Sequence, residues 1–485
     1  MAFISEEQVI RVLQQYNPWW RNPKTIREHS RPQKRFAYHK AMNVISHPSI
    51  RRFALLSGAR RVGKTTIMYQ MMESLMEHGI PPVNILYVSF DNPIIKLVTI
   101  DDVINIYESL YPIQGKRYLF FDEVQYTDNW ELWMKVLYDT RENIKLVSTG
   151  SASPILEKRT ADSGAGRWTI LKVPTLSFYE YCELLQLADR PVISSAVKLI
   201  NLVNLTKAEL FDLFNRFSPL KRHFNRYLTI GGFPELVLSD DDAYAQRILR
   251  EDVADKVIKR DVLSLFSVRN PLLLEKLFLY LCINSSEIFN AQKASKELEN
   301  ISVITLENYI GFLENSNLIY RSNPINVGSK GALKGRPKIY IADAAIRNAV
   351  LMKGDVLADE KEMGIIAETT VFKHIISFYQ GSSARIGYFR KLKDNQKEVD
   401  IVIELPMEKI LCEVKYRNDT SLSTSDAIVE LSSDDKAKVT NAFLITKRLT
   451  DCGICKHKTH TPILKIPALP FLYLLGKAEA EGLDS

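Results

Sequence analysis

The chain has 485 residues, enough for about three domains at roughly 100–200 residues each. With 46% hydrophobic and 25% charged residues it has a globular composition, which excludes disordered, collagenous and coiled-coil classes. The net charge of +7, from 64 basic and 57 acidic residues, is modest, so where the charge falls matters more than its sum.

The opening MAFISEEQVIRVL carries glutamates where a secretory signal carries lysines, and no stretch approaches the roughly 18 apolar residues of a membrane span. Five cysteines suit free thiols in a reducing compartment. A cytoplasmic location with no membrane partner is expected. Asn17-Pro18-Trp19-Trp20 reads as an anchor for the N-terminal arm rather than a base-stacking platform. Between Arg21 and Lys64 the basic residues are Arg21, Lys24, Arg27, Arg31, Lys34, Arg35, Lys40, Arg51, Arg52, Arg60, Arg61 and Lys64, and Glu28 is the sole acid. That stretch suits a phosphate-bearing partner or forms a solvated basic face.

Apolar runs near 53–57, 83–90, 117–121, 145–149 and 168–173 alternate with helical patterns after Gly63, Ile100 and Asn129. This predicts a parallel α/β sheet within residues 1–175. Residues 176–270 read as mostly helical, broken at Gly231-Gly232-Phe233-Pro234-Glu235, where paired glycines permit positive φ and Pro234 suits a first helical turn. Residues 271–345 follow the order of a winged helix. Its third helix carries Leu306, Tyr309, Ile310 and Leu313 on one face, and a Gly/Lys-rich hairpin follows. Lys330, Lys334, Arg336 and Lys338 of that hairpin are expected on a DNA backbone. Residues 346–485 return to α/β. The cluster Cys452, Cys455, His457 and His460 is spaced too tightly for the usual zinc pattern and reads as a turn.

GARRVGKT, Gly58 to Thr65, fits the phosphate-loop pattern directly after a strand and before a helix. Glycines let successive N–H groups face a phosphate, and the helix adds its positive end. Lys64 is expected on the β/γ-phosphates and Thr65 on Mg²⁺, with Gly58, Arg60, Gly63 and Thr66 completing the ATP cradle. RYLFF ends in Asp122 and Glu123, the first a metal-holding carboxylate and the second a base or water-orienting group. The intervening strand and the second acid point to an additional-strand ATPase rather than a GTPase. Thr149 or Ser151 would sense the γ-phosphate, and Arg167 is a candidate arginine finger, which in trans requires a homo-oligomer.

GARRVGKT, FFDEVQ, STGSAS, AGR and YLTIGGFPE, in this order, resemble a prokaryotic branch of the AAA superfamily, similar to archaeal-type ATPases whose C-terminal half was long a domain of unknown function. The resemblance implies an ATPase core, a helical lid, a winged helix and a restriction-endonuclease-like C-terminal domain. It carries phosphate binding to Gly58, Gly63, Lys64 and Thr65 and the acidic pair to Asp122 and Glu123.

In the last domain Glu368 lies on a predicted helix, Asp400 in EVDIVIE and Glu413 and Lys415 in ILCEVKY. Residues two apart on a strand share a face, so Glu413 and Lys415 project together and Asp400 reaches them from the neighbouring strand. Converging carboxylates with a lysine are what metal-dependent phosphodiester cleavage uses, with Asp400 and Glu413 as metal ligands. The set resembles the PD-(D/E)xK nucleases. The same pattern also describes a half-exposed strand with Asp400 paired to Lys415. Three functions stay open: an ATP-dependent enzyme acting on nucleic acid, DNA before RNA, that controls its own nuclease; a nucleotide switch whose nuclease-like domain only binds; and an assembly ATPase acting on protein.

Overall fold

The structure, a computed structural model, describes residues 4–112, 115–150, 166–262, 268–325, 335–353, 356–391 and 397–483. It divides into two compact units, one running to Pro174 and one holding most of the chain from Thr175 onward.

The first unit is built on five parallel strands: β1 (Phe53–Ser57), β2 (Ile85–Ser89), β3 (Arg117–Asp122), β4 (Ile144–Gly150) and β5 (Trp168–Lys172). Their order is β2-β3-β4-β1-β5, with Ala54 opposite Val147 and Phe53 opposite Trp168. Both β1 and β2 are buried at every position, as a parallel sheet covered on both faces requires. This order places β4 between the phosphate-loop strand and the acidic strand, and it brings the ends of β1, β3 and β4 together.

Strand β2 lies at the sheet edge, where unpaired backbone groups need cover. The Asn17 amide supplies it, donating to the Tyr87 carbonyl at 2.8 Å and accepting from the Tyr87 N–H at 2.7 Å. The Trp19 and Trp20 indoles both donate to the Ile85 carbonyl, at 3.3 and 2.8 Å. The Asn-Pro-Trp-Trp motif is therefore an anchor, made of side chains that imitate a neighbouring strand. Part of the basic stretch is likewise structural. Arg35 donates to the carbonyls of Val62 and Pro174, and Arg51 to those of Tyr138 and Arg141.

The second unit carries an eight-stranded mixed sheet. Its strands are β6 (Ile319–Pro324), β7 (Lys338–Ile341), β8 (Arg385–Arg390), β9 (Glu398–Glu404), β10 (Lys409–Lys415), β11 (Val439–Thr446), β12 (Gly453–Ile454) and β13 (Ile463–Pro467), in the order β12-β13-β11-β10-β9-β8-β6-β7. The hairpin β6–β7, expected as the wing of a separate module, is continuous with the C-terminal sheet: Asn323 and Pro324 pair with Gly387 and Tyr388 of β8. The helix before it, Val303–Asn315, does bury Leu306, Tyr309, Ile310 and Leu313.

A buried polar knot accounts for the Gly-Gly-Phe-Pro motif. The Lys373 ammonium donates to Thr175 Oγ1, Tyr227 Oη, Asp343 Oδ2 and the Leu176 carbonyl at 2.7–3.1 Å. Asp343 also accepts from the N–H groups of Gly232 and Ala345. Gly231 has φ +73°, and a Cβ there would stand 2.4 Å from Asp343 Oδ1, so both conformation and space demand glycine. Pro234 opens the helix Pro234–Val237. Beside the knot, His374 accepts from the Phe178 N–H at 2.9 Å; burial, with Lys373 adding to it, pushes its imidazole down to about 3. Cys452 is buried beside the Lys207 carbonyl, and His457 Nε2 meets the Leu422 carbonyl at 2.9 Å.

Candidate nucleotide site and C-terminal acidic pocket

The phosphate loop leaves β1 at Ser57 and enters the helix Lys64–Glu77 through Gly63, whose φ of 91° is left-handed. Arg61 is left-handed as well, at φ 62°. Such alternation turns successive N–H groups inward into an anion-binding nest. Lys64, only 5% exposed, donates to the carbonyls of Gly58 and Ala59 at 2.8 and 3.0 Å, inside its own loop. Arg60 donates to Tyr126 Oη at 3.1 Å, and Thr66 lies in the first helical turn.

Asp122, at the end of β3, is held by three neutral hydroxyls. Thr65 Oγ1 donates to its Oδ2 at 2.8 Å, Tyr87 Oη to the same oxygen at 2.9 Å, and Thr149 Oγ1 to Oδ1. Thr149, at the end of β4, also accepts the Glu123 N–H at 2.9 Å. Of the two candidate sensors, Thr149 is thus joined to the acidic pair, whereas Ser151 lies outside the described residues. Glu123 sits at φ 53°, an uncommon conformation for a glutamate, and Gln125 donates to its carboxylate. Burial pushes the Glu123 carboxyl above its usual range, against the pull of Lys64. Tyr87 was not anticipated. Two residues before Ser89, which pairs with Asp122, it faces the same side of the sheet, and burial together with Asp122 keeps its phenol protonated.

Arg167 is not brought to this site. It stands just before β5, its carbonyl accepting the Phe53 N–H, whereas the phosphate loop follows Ser57 at the other end of the parallel strands. Five residues at about 3.3 Å each separate the two ends, roughly 16 Å. Its guanidinium instead grips Asp139 through Nε and Nη2 at 2.8 and 3.0 Å. A finger acting on the nucleotide of its own chain is excluded by that placement.

In the second unit Glu368, Asp400, Glu413 and Lys415 line one cavity of about 510 Å³, with Glu360, Lys361 and Arg417 at its margin. The convergence expected from strand alternation is present, but the charges are distributed differently. Lys415 Nζ donates to the Ser421 carbonyl at 2.8 Å and pairs with Asp426 at 3.2 Å. The lysine among the acids is Lys338 of β7. Its ammonium lies 3.3 Å from Glu368 Oε1, 3.0 Å from Glu398 Oε1 and 3.3 Å from Asp400 Oδ1. It is 2% exposed, so the expected DNA-backbone role for this residue is overturned by burial. Lys330 and Lys334 lie outside the described residues, and the Arg336 carbonyl accepts from Tyr388 Oη. Burial works against the Lys338 charge, but Glu368 and its neighbouring acids outweigh it and hold the pKa well above normal.

A divalent metal does not fit this arrangement. Asp400 Oδ1 is taken by Lys338 and Oδ2 by the Val414 N–H at 2.9 Å, while Glu368 Oε1 receives Lys338 and the Tyr340 hydroxyl at 2.7 Å. Among the described residues Glu413 Oε2 is buried without a hydrogen-bond partner, and burial, then repulsion from Asp400, pushes that carboxyl well above its usual range. Among the described residues no group of three or more His, Cys, Asp and Glu side chains is arranged to hold a metal.

Residues 51–182 match a family model described as an AAA domain. Residues 221–356 and 363–467 match two described as domains of unknown function, DUF8612 and DUF4143. The AAA-domain match thus spans the phosphate loop and the acidic pair Asp122 and Glu123. An uncharacterized protein of Haemophilus influenzae is 24% identical over 398 residues, 77% of this chain and 92% of its own. An uncharacterized protein of Methanocaldococcus jannaschii is 26% identical over 468 residues, 94% of this chain and 92% of its own. Among solved structures, the Aeropyrum pernix ORC1 protein in complex with DNA is similar at a TM-score of 0.29 and 13% identity, over 70% of this chain and 97% of that one. The Thermotoga maritima RuvB Holliday junction branch migration motor is similar at a TM-score of 0.26 and 16% identity, over 62% and 89%. No described helix is long and apolar enough to cross a membrane.

Proposed function

We propose that the protein binds ATP at Gly58–Thr66 and hydrolyses it. The observation that supports this best is the linked set Thr65–Asp122–Thr149–Glu123, in which a loop threonine, both acids and a strand-end threonine are joined by hydrogen bonds. The oxygen donors of Thr65 and Asp122 suit Mg²⁺, and they would hold the ion that neutralises phosphate charge when ATP is bound. Lys64 exchanges two carbonyl partners for phosphate oxygens. Glu123, its carboxyl raised by burial, orients a water for attack on the γ-phosphorus and takes its proton as the bond to the β-phosphate oxygen breaks. Lys64→Ala is expected to lower ATP turnover on the order of 10²–10³-fold. Glu123→Gln should lower it about 10²–10⁴-fold while leaving nucleotide binding intact. Full turnover in Glu123→Gln, measured by phosphate release, would remove the assignment.

A polyanion is the partner this reading favours, a polynucleotide before a protein. The exposed Lys361 and Arg417 stand at the margin of the C-terminal pocket, in a chain of net charge +7. Reversing both residues to glutamate should weaken binding of a labelled DNA duplex and flatten its salt dependence by about two phosphate contacts. An unchanged salt slope would dismiss this surface. No cleavage step is derived for the pocket, because its acids do not fit a metal.

A further inference from the structure

We propose that Lys338 is the resident cation of the C-terminal acidic pocket, its ammonium standing among Glu368, Glu398 and Asp400 where a divalent metal would otherwise bind, so that the native chain keeps this pocket metal-free. The inference rests on geometry and goes beyond the ATPase reading, from which it is independent.

The shell around the ammonium is too wide for a divalent metal. The carboxylate oxygens stand 3.0–3.3 Å from Lys338 Nζ, the spacing of ammonium–carboxylate hydrogen bonds. Mg²⁺ takes oxygens at about 2.0–2.1 Å and Ca²⁺ at about 2.3–2.6 Å, so each oxygen would have to close in by about an ångström around Mg²⁺. The ammonium is also delivered from a fixed direction. Lys338 begins β7, pairs with Ser322 of β6, bridges to Ile288 and is itself almost wholly buried, so its backbone fixes where the side chain can go. The three acids come from elsewhere: Glu368 from the helix Glu360–Phe378, and Glu398 and Asp400 from β9. A lysine and three carboxylates from three elements are tied at one point.

Two lysines divide the labour in this pocket. Lys415, the residue a Glu-x-Lys strand offers to such a site, is engaged with Ser421 and Asp426. Lys338 therefore supplies the positive charge that Asp400 and Glu368 meet. Glu413, which lines the same pocket, has its Oε2 without a hydrogen bond among the described residues, an acceptor open to a metal once the ammonium is gone.

The test uses the full chain without nucleotide and Mn²⁺ alone as the probe, with free Mn²⁺ followed by its paramagnetic resonance signal. Wild type is expected to bind no Mn²⁺ in this pocket at millimolar concentration. Lys338→Met should gain one site, at least tenfold tighter than any in wild type, and Lys338→Met combined with Asp400→Asn should lose it. Mn²⁺ binding by wild type that Asp400→Asn abolishes would overturn the proposal, and so would a folded Lys338→Met variant that gains no site. Should Lys338→Met fail to fold, melting curves of wild type and Asp400→Asn decide. No Mn²⁺-dependent shift in either supports the proposal, and a stabilising shift in wild type that is absent from Asp400→Asn overturns it. ATP turnover is not the readout, so the outcome does not depend on the reading of the first unit.

Discussion

Lys64 and Lys338 are both buried lysines close to acidic residues, yet the two regions use them in opposite ways. In the first unit Lys64 holds only backbone carbonyls, and Asp122 is held by hydroxyls of Thr65, Thr149 and Tyr87. The hydrogen bonds described for both groups go to neutral partners, while Lys64 acts on the acids through space, pulling on the Glu123 carboxyl against burial and Asp122. In the second unit the ammonium of Lys338 is shared among three carboxylates, so the lysine's charge is already engaged inside the protein. An acid-plus-lysine list thus describes two different arrangements, one with the lysine held by carbonyls and one with it set among the carboxylates. What separates them is the partner of each ammonium.

A third buried lysine sharpens the contrast. Lys373 pairs with Asp343, both almost wholly buried, and its remaining donors meet Thr175, Tyr227 and the Leu176 carbonyl. It opens onto no cavity described above, and its work is to tie segments of the second unit together. Lys373→Met strands a buried carboxylate, and a loss of about 3–5 kcal/mol in unfolding free energy is expected. Denaturant melts check this; a loss under about 1 kcal/mol would show that buried lysine pairs here are not structural and would weaken the contrast with Lys64.

The smallest expected effect is a pH dependence beside that knot. His374 has its folded pKa near 3, well below the 6.5 of an unperturbed imidazole, because burial and Lys373 oppose the charged ring. Between these values the unfolded chain binds the extra proton, so stability is complete above about pH 6.5 and falls as the pH drops, by up to about 1.4 kcal/mol per unit. Comparing melting temperatures at pH 7 and pH 5 should show a larger drop in wild type than in His374→Gln. Equal drops would mean that the ring is protonated in the folded protein.

Much of the candidate nucleotide site was legible because its parts are local. The glycine spacing, Lys64 and Thr65 lie within eight residues, and Asp122 and Glu123 end an apolar run that only a buried strand explains. Thr149 could be named but not separated from Ser151, since strand periodicity gives a face and not a hydrogen bond. Arg167 precedes a strand of a parallel sheet, which puts it at the end away from the phosphate loop of its own chain, so only a finger acting in trans remains open for it. In the second unit Asp400, Glu413 and Glu368 were legible from alternation and helix position. Lys338 was not: it sits 30 residues before Glu368 and 62 before Asp400, on a hairpin that reads as a wing. Only the pairing of β6 with β8 brings it into the pocket, and pairing between distant strands has no local signature.

The central claim is that the two acidic regions differ in where their cation comes from. The most direct measurement counts Mn²⁺ bound per full-length chain with and without a non-hydrolysable ATP analogue. The account predicts one Mn²⁺ with the analogue, lost in Lys64→Ala, and none without it. Mn²⁺ bound in the absence of nucleotide and released by Asp400→Asn would contradict it.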